Sequence, residues 1–159
     1  GTTYISYYDQ AAGDLRLAIN DGSGWTMEVV DSEGDVGQWS SLLVESGSAH
    51  IAYHDVSNQN LKYASGTSGN FTIETVDEAP YSGADTDLIK IGDDIHIVYF
   101  DGQNNDLKLA SLVGGEWSTE TVAGEDSAVG YHNELVNKNG SPYVGCYNFT
   151  SQTPWFSSL

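Results

Sequence analysis

Between residues 40 and 76 the chain alternates short apolar runs with clusters of turn formers. The runs at 40–44, 49–54, 61–65 and 71–76 are rich in β-branched and aromatic side chains, which suit a pleated, half-buried surface. Continuous helical periodicity is absent throughout, so almost no helix is expected. The links SerGly at 46–47, ValSerAsnGln at 56–59 and GlyThrSerGlyAsn at 66–70 are of hairpin length, whereas AspGluAlaProTyrSerGly at 77–83 is longer. The pattern predicts four antiparallel strands, A to D, with the longer link stepping to the next unit.

The unit recurs. IleSerTyrTyrAsp ends at Asp9, IleAlaTyrHisAsp at Asp55, IleValTyrPheAsp at Asp101, and a diverged copy, ValGlyCysTyrAsn, at Asn148. A period of about 46 residues carrying four strands is the signature of radial blades. The expected fold is all-β, a β-propeller of about four repeated four-stranded antiparallel blades with the first and last incomplete. Residues 1–159 form one propeller domain or fragment, with blades at 1–31, 38–77, 84–123 and 130–159. The first blade starts at strand B and the last stops after strand C. Three accounts fit these ends: a small four-bladed ring, an excerpt of a longer array, or chains completing a larger ring as a homo-oligomer through blade edges.

Register follows from hairpin arithmetic. Folding strand B on strand C sets Tyr7, Tyr53 and Tyr99 opposite Arg16, Lys62 and Lys108. Centring the C-to-D hairpins on Gly22, Ser68 and Gly114 sets those cations opposite Glu28, Glu74 and Glu120, a favourable cross-strand pairing. Trp25, Phe71 and Trp117 recur at the start of strand D and are expected to wedge neighbouring blades together. Trp39 and Trp155 stand outside that series, which makes them candidates for a ligand surface or a subunit contact.

Charge narrows the partners. With 23 acidic and 5 basic residues the formal charge is −18, a field that repels phosphate backbones and anionic lipid heads and argues against nucleic acid. No run approaches the roughly 18 apolar residues of a membrane span, so no membrane insertion is expected. The single Cys146 permits no internal disulfide. Few lysines, abundant Gly, Ser, Thr and Asn, and aromatic strands lean towards a secreted, extracellular protein.

Three groups of residues carry candidate chemistry. The A strands align Trp39, Ser40 and Ser41 with Asp85, Thr86 and Asp87 and with His132, Asn133 and Glu134. Asp85, Asp87, Glu134 and His132 at a channel mouth would suit glycan hydrolysis, which needs paired carboxylates about 5 to 10 Å apart. The B-to-C loops repeat Asp9 with Asp14, Asp55 with Asn60, and Asp101 with Asp106. Such oxygens are possible Ca²⁺ ligands, although Asp and Asn also cap hairpins through their own backbone. Tyr4, His50, His96 and Tyr143 share one position at the start of strand B, where ring faces and polar tips would suit repeated inter-blade sugar sites. No other cofactor is expected.

Strings of the form IleSerTyrTyrAsp, AspLeuLysTyrAla, Trp and GluThrVal resemble bacterial extracellular propeller repeats, over essentially all 159 residues. The C-to-D turn AsnAspGlySerGlyTrpThr at 20–26 is similar to the Asp-box of sialidase-type propellers, a structural turn in that family; the later copies lack its aspartate. The resemblance implies surface proteins, lectins and appendages to secreted enzymes. The leading expectation is a non-enzymatic, lectin-like module that binds a carbohydrate or a protein surface and gains strength by avidity. The alternatives are a glycan-active hydrolase or lyase using Asp85, Asp87 and Glu134, and a structural repeat fragment of a larger ring.

Overall fold

Each predicted strand is present, extended by a residue or a few at its ends. The computed structural model describes residues 1–124 and 126–159. Its sheets run in chain order. The first holds β1 (Thr3–Asp9), β2 (Asp14–Asn20) and β3 (Trp25–Asp31); the second β4 (Val36–Glu45), β5 (Ser48–Asp55), β6 (Asn60–Thr67) and β7 (Asn70–Asp77). The third holds β8 (Ser82–Ile91), β9 (Asp94–Asp101), β10 (Asp106–Val113) and β11 (Glu116–Ala123); the fourth β12 (Val129–Lys138), β13 (Ser141–Asn148) and β14 (Thr153–Ser158). Every pairing is antiparallel between sequence neighbours, so each sheet is a meander.

The apolar core lies between sheets. One cluster joins Leu15 and Leu17 of the first blade to Val36, Ile51 and Tyr53 of the second; a second joins Leu61 and Tyr63 to Ile97 and Tyr99; a third joins Leu107 and Leu109 to Val129, Val144 and Cys146. A strand buried on both faces between two neighbouring blades reads as a continuous apolar run, which is why strands B and C are the most hydrophobic of each unit. The inner strands pack in the order β1, β4, β8, β12, and no comparable packing joins β12 back to β1 among the described residues. The blades form an open arc.

Glycine sets the close approach of one blade to the next. Gly37, Gly83 and Gly130 hold φ of +105°, +97° and +104°, and a Cβ there would lie 2.7, 2.9 and 3.0 Å from the Cα of Leu15, Leu61 and Leu107 in the preceding blade. Beside these glycines, the N–H groups of Val36, Ser82 and Val129 donate to the carbonyls of Gly13, Gln59 and Asn105 at 2.9, 3.0 and 3.1 Å. The step between blades is thus built from backbone, not only from side chains.

The expected B-to-C register holds: Tyr7, Tyr53 and Tyr99 face Arg16, Lys62 and Lys108. The expected C-to-D register does not. Arg16, Lys62 and Lys108 oppose Val29, Thr75 and Thr121, while Glu28, Glu74 and Glu120 oppose Leu17, Tyr63 and Leu109. The turns close on an even number of residues, as with Ser68 and Gly69 between the paired Thr67 and Asn70. A centre placed on one residue is therefore off by one, and a slip of one residue sends every side chain to the other face. Glu28 instead reaches the next blade, accepting from Ser68 Oγ at 3.0 Å and the Gly69 N–H at 2.7 Å, and Glu74 accepts from Trp117 Nε1 at 3.3 Å.

Two members of the aromatic series are wedged between blades. Phe71 packs on the first interface, and Trp117 meets Tyr63 edge-on with ring centroids 5.2 Å apart. Trp25, in the first blade, is 48% exposed.

Candidate functional site

Two of the cations released from the glutamates, Lys62 and Lys108, bind across blade boundaries. Lys62 Nζ lies 2.8 Å from Asp31 Oδ2 of the first blade and 3.4 Å from Asp55, and Tyr53 donates its hydroxyl to the same Asp31 oxygen at 2.7 Å. Lys108 Nζ and the Tyr99 hydroxyl repeat this on Asp77 of the second blade, at 2.5 and 2.6 Å. Burial alone would raise the Asp31 and Asp77 carboxyls, but the hydrogen bonds from lysine, tyrosine and backbone outweigh it and hold both below the ordinary 3.8. Burial and the carboxylate beside each push the Tyr53 and Tyr99 hydroxyls far up, so both stay protonated donors. In the first blade Arg16 pairs within its own sheet, with Asp9 at 2.9 Å and Asp14 at 3.1 Å.

The third boundary lacks this cluster. By the same spacing, Ala123 stands for the aspartate, Cys146 for the tyrosine and Trp155 for the lysine, so all three members change together. A cavity of about 550 Å³ opens there, lined by Thr121, Val122, Ala123, Gly124, Ser127, Val129, Asn148 and Trp155. At the first boundary the equivalent crevice, lined by Val30, Asp31, Ser32, Glu33 and Ile73, holds about 290 Å³. The ion cluster is absent from the third boundary, and β7 supplies Ile73 to the lining of the first crevice. The wide crevice has an indole, an amide and two hydroxyls around it, and among the described residues none of its lining side chains is charged.

The inner-strand candidates occupy one repeated backbone kink. Trp39, Asp85 and His132 have φ of 50°, 49° and 54°, each at a bulge between strands A and B. One residue further on, the Thr86 hydroxyl donates to the Trp39 carbonyl and Asn133 Nδ2 donates to the Asp85 carbonyl at 2.8 Å. Asp87 is bound on both oxygens: Oδ1 accepts from Ser41 Oγ at 2.8 Å and from the Leu88 N–H at 2.9 Å, and Oδ2 accepts from the Leu135 N–H at 2.6 Å. It therefore ties the second, third and fourth blades together. His132 and Glu134 are exposed on β12. Trp39 is half exposed and packs on His54, ring centroids 5.4 Å apart.

At the start of strand B, His50 Nδ1 is 2.5 Å from the Tyr63 hydroxyl and His96 Nδ1 is 3.0 Å from Ser111 Oγ. Tyr4 packs on the first core cluster, and the Lys138 ammonium sits 5.0 Å from the centre of the Tyr143 ring. The loop acids lie at hairpins. Asp9 accepts from the Ala11 and Ala12 N–H groups, Asp55 from the Asn58 N–H and Nδ2, and Asp101 from the Gln103 and Asn104 N–H groups and Asn104 Nδ2. Asp14 and Asp106 are the paired residues opposite Asp9 and Asp101. Among the described residues no three His, Cys, Asp or Glu side chains gather as a metal ion requires.

No family model and no curated protein matches the chain. Among solved structures it is similar to a Bacteroides eggerthii protein described as bifunctional GH43-CE, with a TM-score of 0.56 and 14% identity. The likeness covers 98% of this chain and 23% of that one. With four antiparallel meanders radiating from adjacent inner strands, it decides the architecture. The fold is a β-propeller. The propeller is all-β, and no helix among the described residues is long and apolar enough to cross a membrane.

Trp155 was legible as a candidate because it breaks the tryptophan series. Its companions Thr121, Ser127 and Asn148 were not singled out as ligands. Their signal was the joint replacement at 123, 146 and 155, which gains meaning only once those three positions are known to touch.

Proposed function

We propose that this protein is an extracellular, non-enzymatic propeller module that binds a neutral carbohydrate in the crevice between its third and fourth blades. The observation that carries the reading is the replacement of the Asp, Tyr and Lys cluster by Ala123, Cys146 and Trp155 beside a cavity of about 550 Å³. That volume falls in the usual range of small-ligand pockets, roughly 300–1,000 Å³. A sugar ring has an apolar face and a polar rim. The indole of Trp155 suits the face, and the Thr121 and Ser127 hydroxyls and the Asn148 amide suit the rim. Among the described residues the lining carries no charge, in a chain with a charge of −18, which argues for a neutral ligand. The neighbour's designation, GH43-CE, adds a carbohydrate-related setting to this reading.

Calorimetric titration with a panel of neutral glycans tests it. Trp155→Ala should weaken binding at least about tenfold, equivalent to about 1.4 kcal/mol, with the fold unchanged. The triple change Ala123→Asp, Cys146→Tyr and Trp155→Lys should rebuild the ion cluster and abolish binding. Retained affinity in both variants would sink the proposal. Turnover of a glycan that is lost in Asp85→Asn or Glu134→Gln would favour the hydrolase instead.

A further inference from the structure

One rim of the arc carries aromatic side chains from blade to blade. It lies where strand A begins and strand B ends, since Gln38 pairs with His54, Ala84 with Phe100 and Tyr131 with Tyr147. Between the second and third blades it holds Trp39 against His54, and then Tyr81 in the link that leads into β8. Between the third and fourth it holds Phe100 on Tyr131, ring centroids 4.3 Å apart, with Phe149 5.9 Å from Tyr131. Gly102 joins the two groups. A Cβ there would lie 3.1 Å from the Tyr81 Cβ and 3.7 Å from Phe100 Cε1, so the glycine leaves the row uncovered.

Trp39 and Tyr81 lie within the arc, with blades on both sides, and are still 49% and 54% exposed. Both are held at left-handed φ, 50° and 65°, an outlying conformation for a bulky side chain and one that gathers at ligand clamps. The kink at Trp39 recurs with Asp85 and His132, so the backbone there does not require an aromatic ring. The row also runs into the wide crevice. The Phe149 N–H donates to the Ala128 carbonyl at 2.8 Å, and the neighbours Ser127, Val129 and Asn148 line the cavity.

We infer that this rim binds a neutral polysaccharide chain, which stacks on Trp39 and Tyr81 and runs on into the crevice between the third and fourth blades. The inference rests on the carbohydrate reading of the crevice and extends it from a short sugar to a polymer. A ligand that touches both Trp39 and Trp155 crosses from the second blade to the fourth, about 20 Å at the usual spacing of packed sheets, which is farther than a disaccharide reaches. Half-exposed rings suit the apolar faces of successive sugars. The charge of −18 repels a polyanionic glycan and leaves a neutral one.

Calorimetry of the whole chain with neutral gluco-, xylo- and manno-oligosaccharides of increasing length tests the inference. The expected result is affinity that rises at least about tenfold from disaccharide to long oligosaccharide. Trp39→Asn and Tyr81→Asn should each remove most of that gain and leave disaccharide binding in the crevice unchanged. Asparagine adopts a left-handed φ readily, so both variants keep the fold, which their melting temperatures check. Trp155→Ala should weaken short and long ligands alike. Affinity independent of length, or a gain that persists in both asparagine variants, overturns the inference and leaves the crevice reading to stand on Trp155→Ala. A gain lost in both variants but untouched by Trp155→Ala supports the rim and overturns the crevice reading. Binding to no member of the panel overturns both.

Discussion

Replacing Asp77 by alanine should be the most damaging single change among the polar residues at the blade boundaries. The substitution removes the acceptor for Lys108 Nζ at 2.5 Å, for the Tyr99 hydroxyl at 2.6 Å and for the Ala79 N–H at 2.9 Å. The Lys108 and Asp77 side chains are only 13% and 10% exposed, so water replaces little of what is lost. Breaking a buried pair on one side costs about 3–5 kcal/mol, because the remaining charge stays desolvated. Asp31→Ala should cost roughly 1–2 kcal/mol less, since Asp55 stands 3.4 Å behind it as a second partner for Lys62. Urea denaturation followed by midpoint and slope measures both. Pairing Asp77→Ala with Lys108→Met should recover at least about 2 kcal/mol, because an apolar pair of similar volume does not carry the orphaned charge. The pH dependence has a definite sign. The Asp77 carboxyl is held below its ordinary 3.8, as bonds from Lys108 and Tyr99 overcome the opposing effect of burial. Its stabilisation is complete above that ordinary value and is lost as pH falls through the lowered folded one. The gap between the parent and Asp77→Ala should hold at pH 7 and narrow below about pH 4. A cost under about 1 kcal/mol, or equal costs at Asp31 and Asp77, would refute the reasoning.

Gly83→Ala combines a left-handed φ with a Cβ 2.9 Å from the Leu61 Cα and should destabilise by more than about 2 kcal/mol, whereas Gly92→Ala, with open space around it, should cost about 1 kcal/mol, both by thermal melts. Asp87→Ala should lower the melting temperature by several degrees because it releases Ser41 and the Leu135 N–H, while Glu134→Gln leaves it unchanged. Burial holds the His50, His54 and His96 imidazoles below their ordinary 6.5. The stability tied to their neutral forms is full above that value and is lost as pH falls through the lowered folded ones. His54→Gln, which removes the ring donating from Nδ1 to the Ser82 carbonyl at 2.7 Å, should flatten the acid limb of a stability profile.

The unit and its period were legible along the chain, because β-branched runs, hairpin-length links and a 46-residue recurrence are properties of neighbouring residues. The B-to-C pairing of Tyr53 with Lys62 was legible for the same reason: a short hairpin leaves few registers. The C-to-D pairing was not, since one residue of turn length decides which face Glu74 occupies, and composition does not encode that count. Asp31 and Asp77 recur with the repeat just as the lysines do, yet nothing in a one-dimensional spacing says that an aspartate serves the blade after its own. Only the stacking of blades decided that Tyr63 meets Trp117, that Asp87 holds three inner strands together, and that Ala123 and Trp155 line one crevice. These contacts join residues tens of positions apart. They depend on the angle and distance at which one sheet packs on the next, which are set jointly by the backbone approach at Gly37, Gly83 and Gly130 and by the side chains buried between them.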